Sequence, residues 1–352
     1  LERWLTRVPG GLVISNLGAC ALFAAMSGSS PATCAAIGKM GIPEMRKRGY
    51  PDEIATGSIA AGGTLGILIP PSITMIVYGI ATETSIGRLF LAGVVPGFLL
   101  MGLFMAWSIY ATWAAGGRSA MPQTSYSWRE RLEILPRVLP FIAIILGVLY
   151  TMYGGVATPS ETAAVGALLC LIVAMIIYRL TSFSALWNVL RDSTKESVMI
   201  LFIIAAAGVF SYMLSSLYIT QSIAEWISDL DVNRWTLMIA INVFLIIAGF
   251  FLPPVAVILM TAPILLPVIT GAGFDPIWFA VVLTINMEIG LISPPVGLNL
   301  YVINGIAPDI SLRTILVGSL PFVACMLIAI ALLCLFPSLA TWLPDAVMGQ
   351  AL

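Results

Sequence analysis

The chain has 352 residues, of which 60% are hydrophobic and only 9% charged, and its mean hydropathy is +1.03. A soluble domain carries about 25% charged residues, so a water-soluble fold is excluded. A formal net charge of −1 with no basic tail argues against a nucleic-acid partner, and the absence of histidine removes His-ligated metals and His-based catalysis.

Apolar runs with charged breaks predict nine membrane segments: 12–26 plus 31–43, 57–82, 89–116, 138–153, 157–178, 198–218, 237–252 plus 255–269, 277–303 and 314–336. The two paired segments are interrupted at Ser27–Pro31 and at Pro253-Pro254. Each half is shorter than the roughly 20 residues a spanning helix needs, so each pair is expected to form a re-entrant hairpin. Two full-length segments carry another kind of interruption, at Gly63–Ser72 (GTLGILIPPS) and Glu288–Gly297 (EIGLISPPVG). Proline lacks the backbone donor and clashes with the preceding turn, so each Pro-Pro pair should end one half-helix and start the next. Main-chain groups freed at membrane depth are tolerated only against protein or a wet cavity, which marks both breaks as ligand positions. Five cysteines, Cys20, Cys34, Cys170, Cys325 and Cys334, have no CxxC spacing and read as small core residues. The start at Leu1 rather than Met, with no signal-peptide pattern, leads us to expect natural sequence upstream.

Laid over itself at an offset of 224, the chain pairs Pro43 with Pro267, Gly49 with Gly273, Tyr50 with Phe274, Gly66 with Gly290 and Pro70-Pro71 with Pro294-Pro295. One inserted position later, Arg88, Gly93 and Pro96 face Arg313, Gly318 and Pro321. This is an internal duplication of hairpin, polar turn, broken helix and unbroken helix. With re-entrant hairpins, 14 of the 16 basic residues fall on one side and only Arg88 and Arg234 on the other, which makes the first side cytoplasmic. The Arg46-Lys47-Arg48 turn is then cytoplasmic and its counterpart, TGAGFDP, external. The copies are expected to be inverted, the plan of many secondary transporters with a site at mid-depth. The expected fold is therefore an all-α polytopic membrane protein, an inverted-repeat ion-transporter fold with two re-entrant helical hairpins and two broken transmembrane helices.

At the first tip, SGSS places hydroxyls opposite the stretch Ala61–Gly66. Hydroxyl and carbonyl oxygens suit a hard monovalent cation, so Ser27, Ser29, Gly62, Thr64 and Gly66 are the candidate ligands of a first Na⁺. The competing reading is close helix packing through small residues, with the hydroxyls bonded to backbone carbonyls. The symmetric position offers Gly249, Asn286, Glu288 and Gly290 for a second Na⁺. Glu288 is the only carboxylate in the middle of an apolar span. Ionised there it costs about 3 kcal/mol or more unless paired, so it needs a partner, a cation or a proton. A network or capping role is its alternative. Between the tips, half-helix N-termini with Ser29, Ser30, Ser72 and Asn299 are the candidate holders of a carboxylate substrate. Glu161, after Thr158-Pro159, reads as a structural helix-start residue.

The stretches SGSSPATCAAIGKMGIPEMRKRGY, GTLGILIPPSITMIVYG, ATPSETAAVGAL and PILLPV followed by EIGLISPPVGLNLYV resemble the large membrane (M) subunit of the tripartite ATP-independent periplasmic (TRAP) transporters, over essentially the whole chain. The resemblance implies an elevator-type importer of carboxylate-bearing organic anions in the bacterial inner membrane, coupled to Na⁺ and without other cofactors. It also implies two protein partners, a small membrane (Q) subunit and a periplasmic substrate-binding (P) protein. The family's tips fall on Ser27–Ser30 and Gly249–Pro254, and its unwound stretches on Gly62–Gly66 and Asn286–Gly290. The division expected is a transport domain of 1–56, 57–88, 237–276 and 277–305 moving against a scaffold of 89–236 and 306–352. Two departures from the family pattern are the absence of further helices before the first hairpin and of an acidic residue at Phe251–Pro254. Alternatives are a proton-coupled anion transporter using Glu288, a channel or non-transporting assembly subunit, and an intramembrane hydrolase with Ser29 or Ser30 as nucleophile and Lys39 as base.

Overall fold

The structure is a computed structural model that describes residues 10–115, 133, 135–154, 156–219, 222, 225, 226 and 232–349. Of the 14 basic residues counted on the cytoplasmic side, Arg3, Arg7, Arg118, Arg129 and Arg131 lie outside the described residues. Among the described residues all regular structure is helical: α1 Gly11–Ser27, α2 Ser30–Lys47, α3 Asp52–Leu68, α4 Ile73–Thr82, α5 Ile86–Ala114, α6 Leu135–Tyr153, α7 Pro159–Ile176, α8 Phe183–Ser216, α9 Arg234–Phe251, α10 Pro254–Gly271, α11 Pro276–Leu291, α12 Leu298–Ile306, α13 Leu312–Leu335 and α14 Ser338–Met348. The last helix was not among the expected segments, and α8 starts fifteen residues before the expected 198 because its polar first turns remain helical.

Helices α1 and α2 form the first hairpin. Gly28 turns the chain at its tip with a left-handed φ of 59°, a conformation that costs glycine little. Helices α9 and α10 form the second hairpin around Leu252-Pro253, with Pro254 at the first helical position, where its missing N–H leaves no bond unmade. Each arm of this hairpin has 18 residues and is apolar and long enough to cross a membrane by length and composition. The expectation that each half is too short to span is therefore not supported by length in this hairpin. What limits its depth is where the tip docks. A methyl group on Gly290, near the end of α11, would lie 2.4 Å from the Gly249 carbonyl oxygen, and one on Gly66, near the end of α3, would lie 2.9 Å from the Ser29 carbonyl oxygen. Each tip thus meets its broken helix about halfway along, so neither hairpin reaches as far as the helix it leans on.

Helices α3–α4 and α11–α12 are the two broken helices, and they run antiparallel. Arg46, at the end of α2, meets Asp52 at the start of α3 at 3.0 Å and Asp309 just beyond α12 at 2.5 Å. At the opposite end the Tyr78 hydroxyl of α4 donates to the carbonyl of Pro276, the first residue of α11, at 2.9 Å. The start of each broken helix therefore stands beside the end of the other, which is the inversion expected from the charge pattern. The duplicated turns match in detail: Gly49 and Gly273 have φ values of 77° and 78°, and each bonds back to the last helical turn, Gly49 to Arg46 and Gly273 to Thr270, at 3.0 Å. The halves also interlock, since α12 packs on α2 and α4 packs on α10, each on the other copy's hairpin.

Every residue of α3 from Ala55 to Leu68, and of α11 from Ile277 to Leu291, is buried. These two helices form the centre, with α5 and α13 packed around them. The close fit of α3 against α13 rests on Gly57 and Gly318, where a methyl on Gly57 would lie 2.0 Å from the Gly318 carbonyl oxygen. Helices α7 and α8 instead turn large apolar side chains outward, Ile176, Phe202 and Tyr212 among them. Such a surface suits hydrocarbon.

Candidate functional site

The breaks fall at the Pro-Pro ends of the expected interruptions, Gly63–Ser72 and Glu288–Gly297, and beyond the stretches that the family resemblance implied. Gly62–Gly66 remain inside α3, and Asn286–Gly290 inside α11; the chain leaves helical geometry at Ile69–Ser72 and Ile292–Gly297. The Pro-Pro pairs cause the interruption, and the glycines before them serve another purpose. A methyl on Gly62 would lie 2.8 Å from the Cys20 sulfur, and one on Gly63 would lie 2.1 Å from the Cys34 sulfur. They let both arms of the first hairpin press against α3. Both Pro-Pro peptide bonds, Pro70-Pro71 and Pro294-Pro295, are cis.

The first tip is a compact group of oxygens. The Thr33 hydroxyl donates to the Ser29 carbonyl at 2.8 Å and lies 3.0 Å from the Ser27 hydroxyl, while the Ser29 N–H points at Ser27 Oγ at 3.4 Å. The first break closes on this group, because a methyl on Gly28 would lie 2.8 Å from the Pro71 carbonyl oxygen. Ser27, Ser29 and Gly66 are thus brought together as expected. Gly62 faces Cys20 instead. Thr64 donates to the Ala61 carbonyl at 2.7 Å and lies about 160° around the helix from both Gly62 and Gly66, away from the tip.

Of the four candidate substrate holders, two meet directly. Asn299, in the first turn of α12, donates from its amide to Ser30 Oγ at 2.8 Å and to the Ala60 carbonyl at 3.1 Å. Its own Oδ1 is buried without a partner. This amide joins the second broken helix to the first hairpin and to α3. Ser72 is committed locally: its hydroxyl donates to the Ile67 carbonyl at 2.5 Å and accepts from the Met75 N–H at 3.3 Å, which caps α4. Ser29 is partly exposed at the tip.

The second cluster contains Gly249, Asn286 and Gly290, but Glu288 does not join it. Asn286 donates to Asn242 Oδ1 at 2.6 Å and to the Val282 carbonyl at 2.9 Å, and its Oδ1 is buried without a partner. At about 100° per residue, Asn286 and Gly290 share the face turned to α9, whereas Glu288 lies on the opposite face. Glu288 is fully buried, the only charged residue type so placed among the described residues, and neither of its carboxyl oxygens has a partner. The two-residue spacing alone separated it from the other three.

Two residues outside the expected sets complete these clusters. Thr33 was passed over, although a hydroxyl one helical turn after a tip serine is placed to bond back to it. Asn242 is the only amide side chain within α9, and a polar residue inside an apolar span is itself a signal. The hydrolase reading fails on distance, since Lys39 is exposed and lies nine residues along α2 from Ser30, about 13 Å of helical rise. Both clusters present uncharged oxygens: the hydroxyl of Ser27 and the carbonyls near the tip in the first, the free Asn286 Oδ1 and the Gly249 carbonyl in the second. Such a donor set fits a monovalent cation and offers little to a multiply charged one.

Residues 2–339 match the family described as "Tripartite ATP-independent periplasmic transporter, DctM component". The chain is 42% identical to the C4-dicarboxylate TRAP transporter large permease protein DctM of Pseudomonas aeruginosa over 338 residues, covering 96% of this chain and 78% of that one. It is 39% identical to the corresponding protein of Vibrio cholerae serotype O1, covering 97% and 79%. Among solved structures, the YdaH transporter of Alcanivorax borkumensis shares the fold, with a TM-score of 0.63 at 14% identity over 95% of this chain and 85% of that one.

Proposed function

The chain belongs to the DctM-component family of tripartite ATP-independent periplasmic transporters, as a large permease subunit of the inner membrane, and from that premise we propose that it imports C4-dicarboxylates or similar carboxylate-bearing anions by Na⁺ symport. The observation that carries the reading is the meeting of two tips with two antiparallel broken helices, where the uncharged Asn286 and Asn299 side-chain oxygens are buried without partners. The first Na⁺ is held by Ser27, the tip carbonyls and the break closing on Gly28. The second is held near Asn286, Gly249 and Gly290. Ser29, Ser30 and Asn299, which gather at the first tip, contact the substrate carboxylate.

No buried lysine or arginine stands among the described residues. The anion's charge is therefore balanced by the co-transported cations and by neutral donors. Two Na⁺ moving inward down about 100 mV and a tenfold gradient release roughly 7 kcal/mol. A C4-dicarboxylate carrying two negative charges consumes about 4.6 kcal/mol of this in moving inward against that potential. The remainder supports a gradient of about a hundredfold.

The hairpins and broken helices, 1–56, 57–88, 237–276 and 277–305, form the transport domain, and it moves against 89–236 and 306–352. The interlocking of α12 with α2 and of α4 with α10 supports motion as one body. A periplasmic binding protein delivers the substrate, and a small membrane subunit braces the scaffold. Uptake is measured in proteoliposomes holding the full assembly with its binding protein. Uptake that collapses when Na⁺ is replaced by K⁺ supports the reading, and uptake that persists undiminished defeats it. A second reading replaces one Na⁺ by a proton, which the unpartnered Glu288 carboxyl favours. Uptake driven by a pH gradient without Na⁺ would select it.

A further inference from the structure

The first tip contains one hydroxyl whose role is not to touch an ion. Thr33 is fully buried in the first turn of α2. Its single hydroxyl proton is held by the Ser29 carbonyl at 2.8 Å, a carbonyl that also receives the Thr33 N–H at 3.1 Å. With that proton committed, Thr33 Oγ1 can only accept from the Ser27 hydroxyl, 3.0 Å away. The Ser27 proton is then turned inward, toward Thr33. The Ser29 N–H approaches Ser27 Oγ from the chain side at 3.4 Å, so what Ser27 presents outward is a lone pair. A serine hydroxyl otherwise rotates and can offer either its proton or its oxygen. Here one neighbour decides which.

Resting on the sodium reading above, we infer that Thr33 is a positioning residue that makes the first tip selective for a cation, by fixing Ser27 as an acceptor and holding the Ser29 carbonyl beside it. The packing sustains this arrangement. A methyl on Gly66 would lie 3.1 Å from Thr33 Oγ1 and 2.9 Å from the Ser29 carbonyl oxygen, so α3 seals the back of the group and leaves its proton chain one direction to run. Replacing Thr33 by valine keeps the shape and removes the acceptor. The Ser27 proton then keeps only a long contact to the Ser29 carbonyl, at 3.4 Å, and can rotate outward, where it opposes a cation. Serine at the same position restores the oxygen.

The test is cation-induced stabilisation of the purified full chain without substrate, followed as the melting temperature against NaCl with choline chloride held to constant ionic strength. The wild type is expected to gain stability specifically with Na⁺. Thr33→Val should raise the half-saturating Na⁺ concentration about tenfold, while the melting temperature in choline falls only by the few degrees that a lost buried hydrogen bond costs. Thr33→Ser should remain within about threefold of wild type. Uptake by the full assembly should show the same displacement in Na⁺ dependence, with the maximal rate at saturating Na⁺ retained. If Thr33→Val does not purify as a single species, Thr33→Ala removes the same oxygen and carries the test. A wild-type half-saturation in Thr33→Val, or a loss in Thr33→Ser equal to that in Thr33→Val, overturns the inference. A wild type with no Na⁺-specific stabilisation and no Na⁺-dependent uptake brings down the sodium reading itself, and this inference with it.

Discussion

The Tyr78 hydroxyl donates to the Pro276 carbonyl across 198 residues of sequence, tying the end of the first broken helix to the start of the second. Together with Arg46 and Asp309 at the other end, it makes the two copies antiparallel. Cysteine labelling should therefore find the Arg46 turn and the Phe274 turn open to opposite compartments. Tyr78→Phe removes one partly buried hydrogen bond and should cost about 1 kcal/mol of stability.

Asn299→Leu removes the amide donor that Ser30 Oγ and the Ala60 carbonyl share and should destabilise the protein by about 1–3 kcal/mol. Ser30→Ala in the same background should add less than it does alone, since the two changes remove a shared bond. A double-mutant cycle read by unfolding should give a coupling of about 1 kcal/mol, and additive losses would refute the link.

Gly57→Ala and Gly318→Ala force a methyl into backbone, 2.0 Å from the Gly318 carbonyl oxygen and 2.1 Å from the Glu53 carbonyl oxygen respectively. Each should cost roughly 1–3 kcal/mol or more through overpacking. Gly102→Ala in α5, with nothing within 4 Å of its added methyl, is the control and should be neutral or slightly stabilising. Melting temperatures of detergent-purified protein distinguish the three.

The hydrogen bond from Arg46 holds the Asp309 carboxyl below the usual carboxylate range. A depressed carboxylate contributes stability that is present above its unfolded value, about 4, and is lost as pH falls through its folded value. The melting-temperature difference between wild type and Asp309→Asn should therefore be steady from pH 6 to 8, shrink with added salt, and close only on acidification below about 4. A difference that closes near neutrality would refute the ion pair.

Much of this architecture was legible before any coordinates. The Pro-Pro pairs placed the breaks because proline's effect on a helix is local, and the turns at Gly49 and Gly273 repeated because left-handed turns are set by a few neighbouring residues. The glycines misled for the opposite reason. The resemblance made Gly62–Gly66 an unwound stretch, with close packing through small residues as the competing reading; the structure favours the packing, since Gly62, Gly63 and Gly66 admit Cys20, Cys34 and the Ser29 carbonyl. A glycine that loosens a helix and one that lets another backbone approach look identical in one dimension. Glu288 was grouped with Asn286 and Gly290 by proximity in the chain, although two residues of helix turn a side chain by about 200°.

The sequence by itself determined a membrane-embedded helical protein, its duplicated unit, the inverted sense of the copies and the family it belongs to, because composition, Pro-Pro breaks and charge bias act over a few residues or over the whole chain at once. Only the tertiary structure decided which buried oxygens lack partners, that Asn299 reaches Ser30, that Thr33 lies against Ser27, and which way Glu288 faces. Those facts are distances between side chains on separate helices. Nothing short of the packed fold sets them.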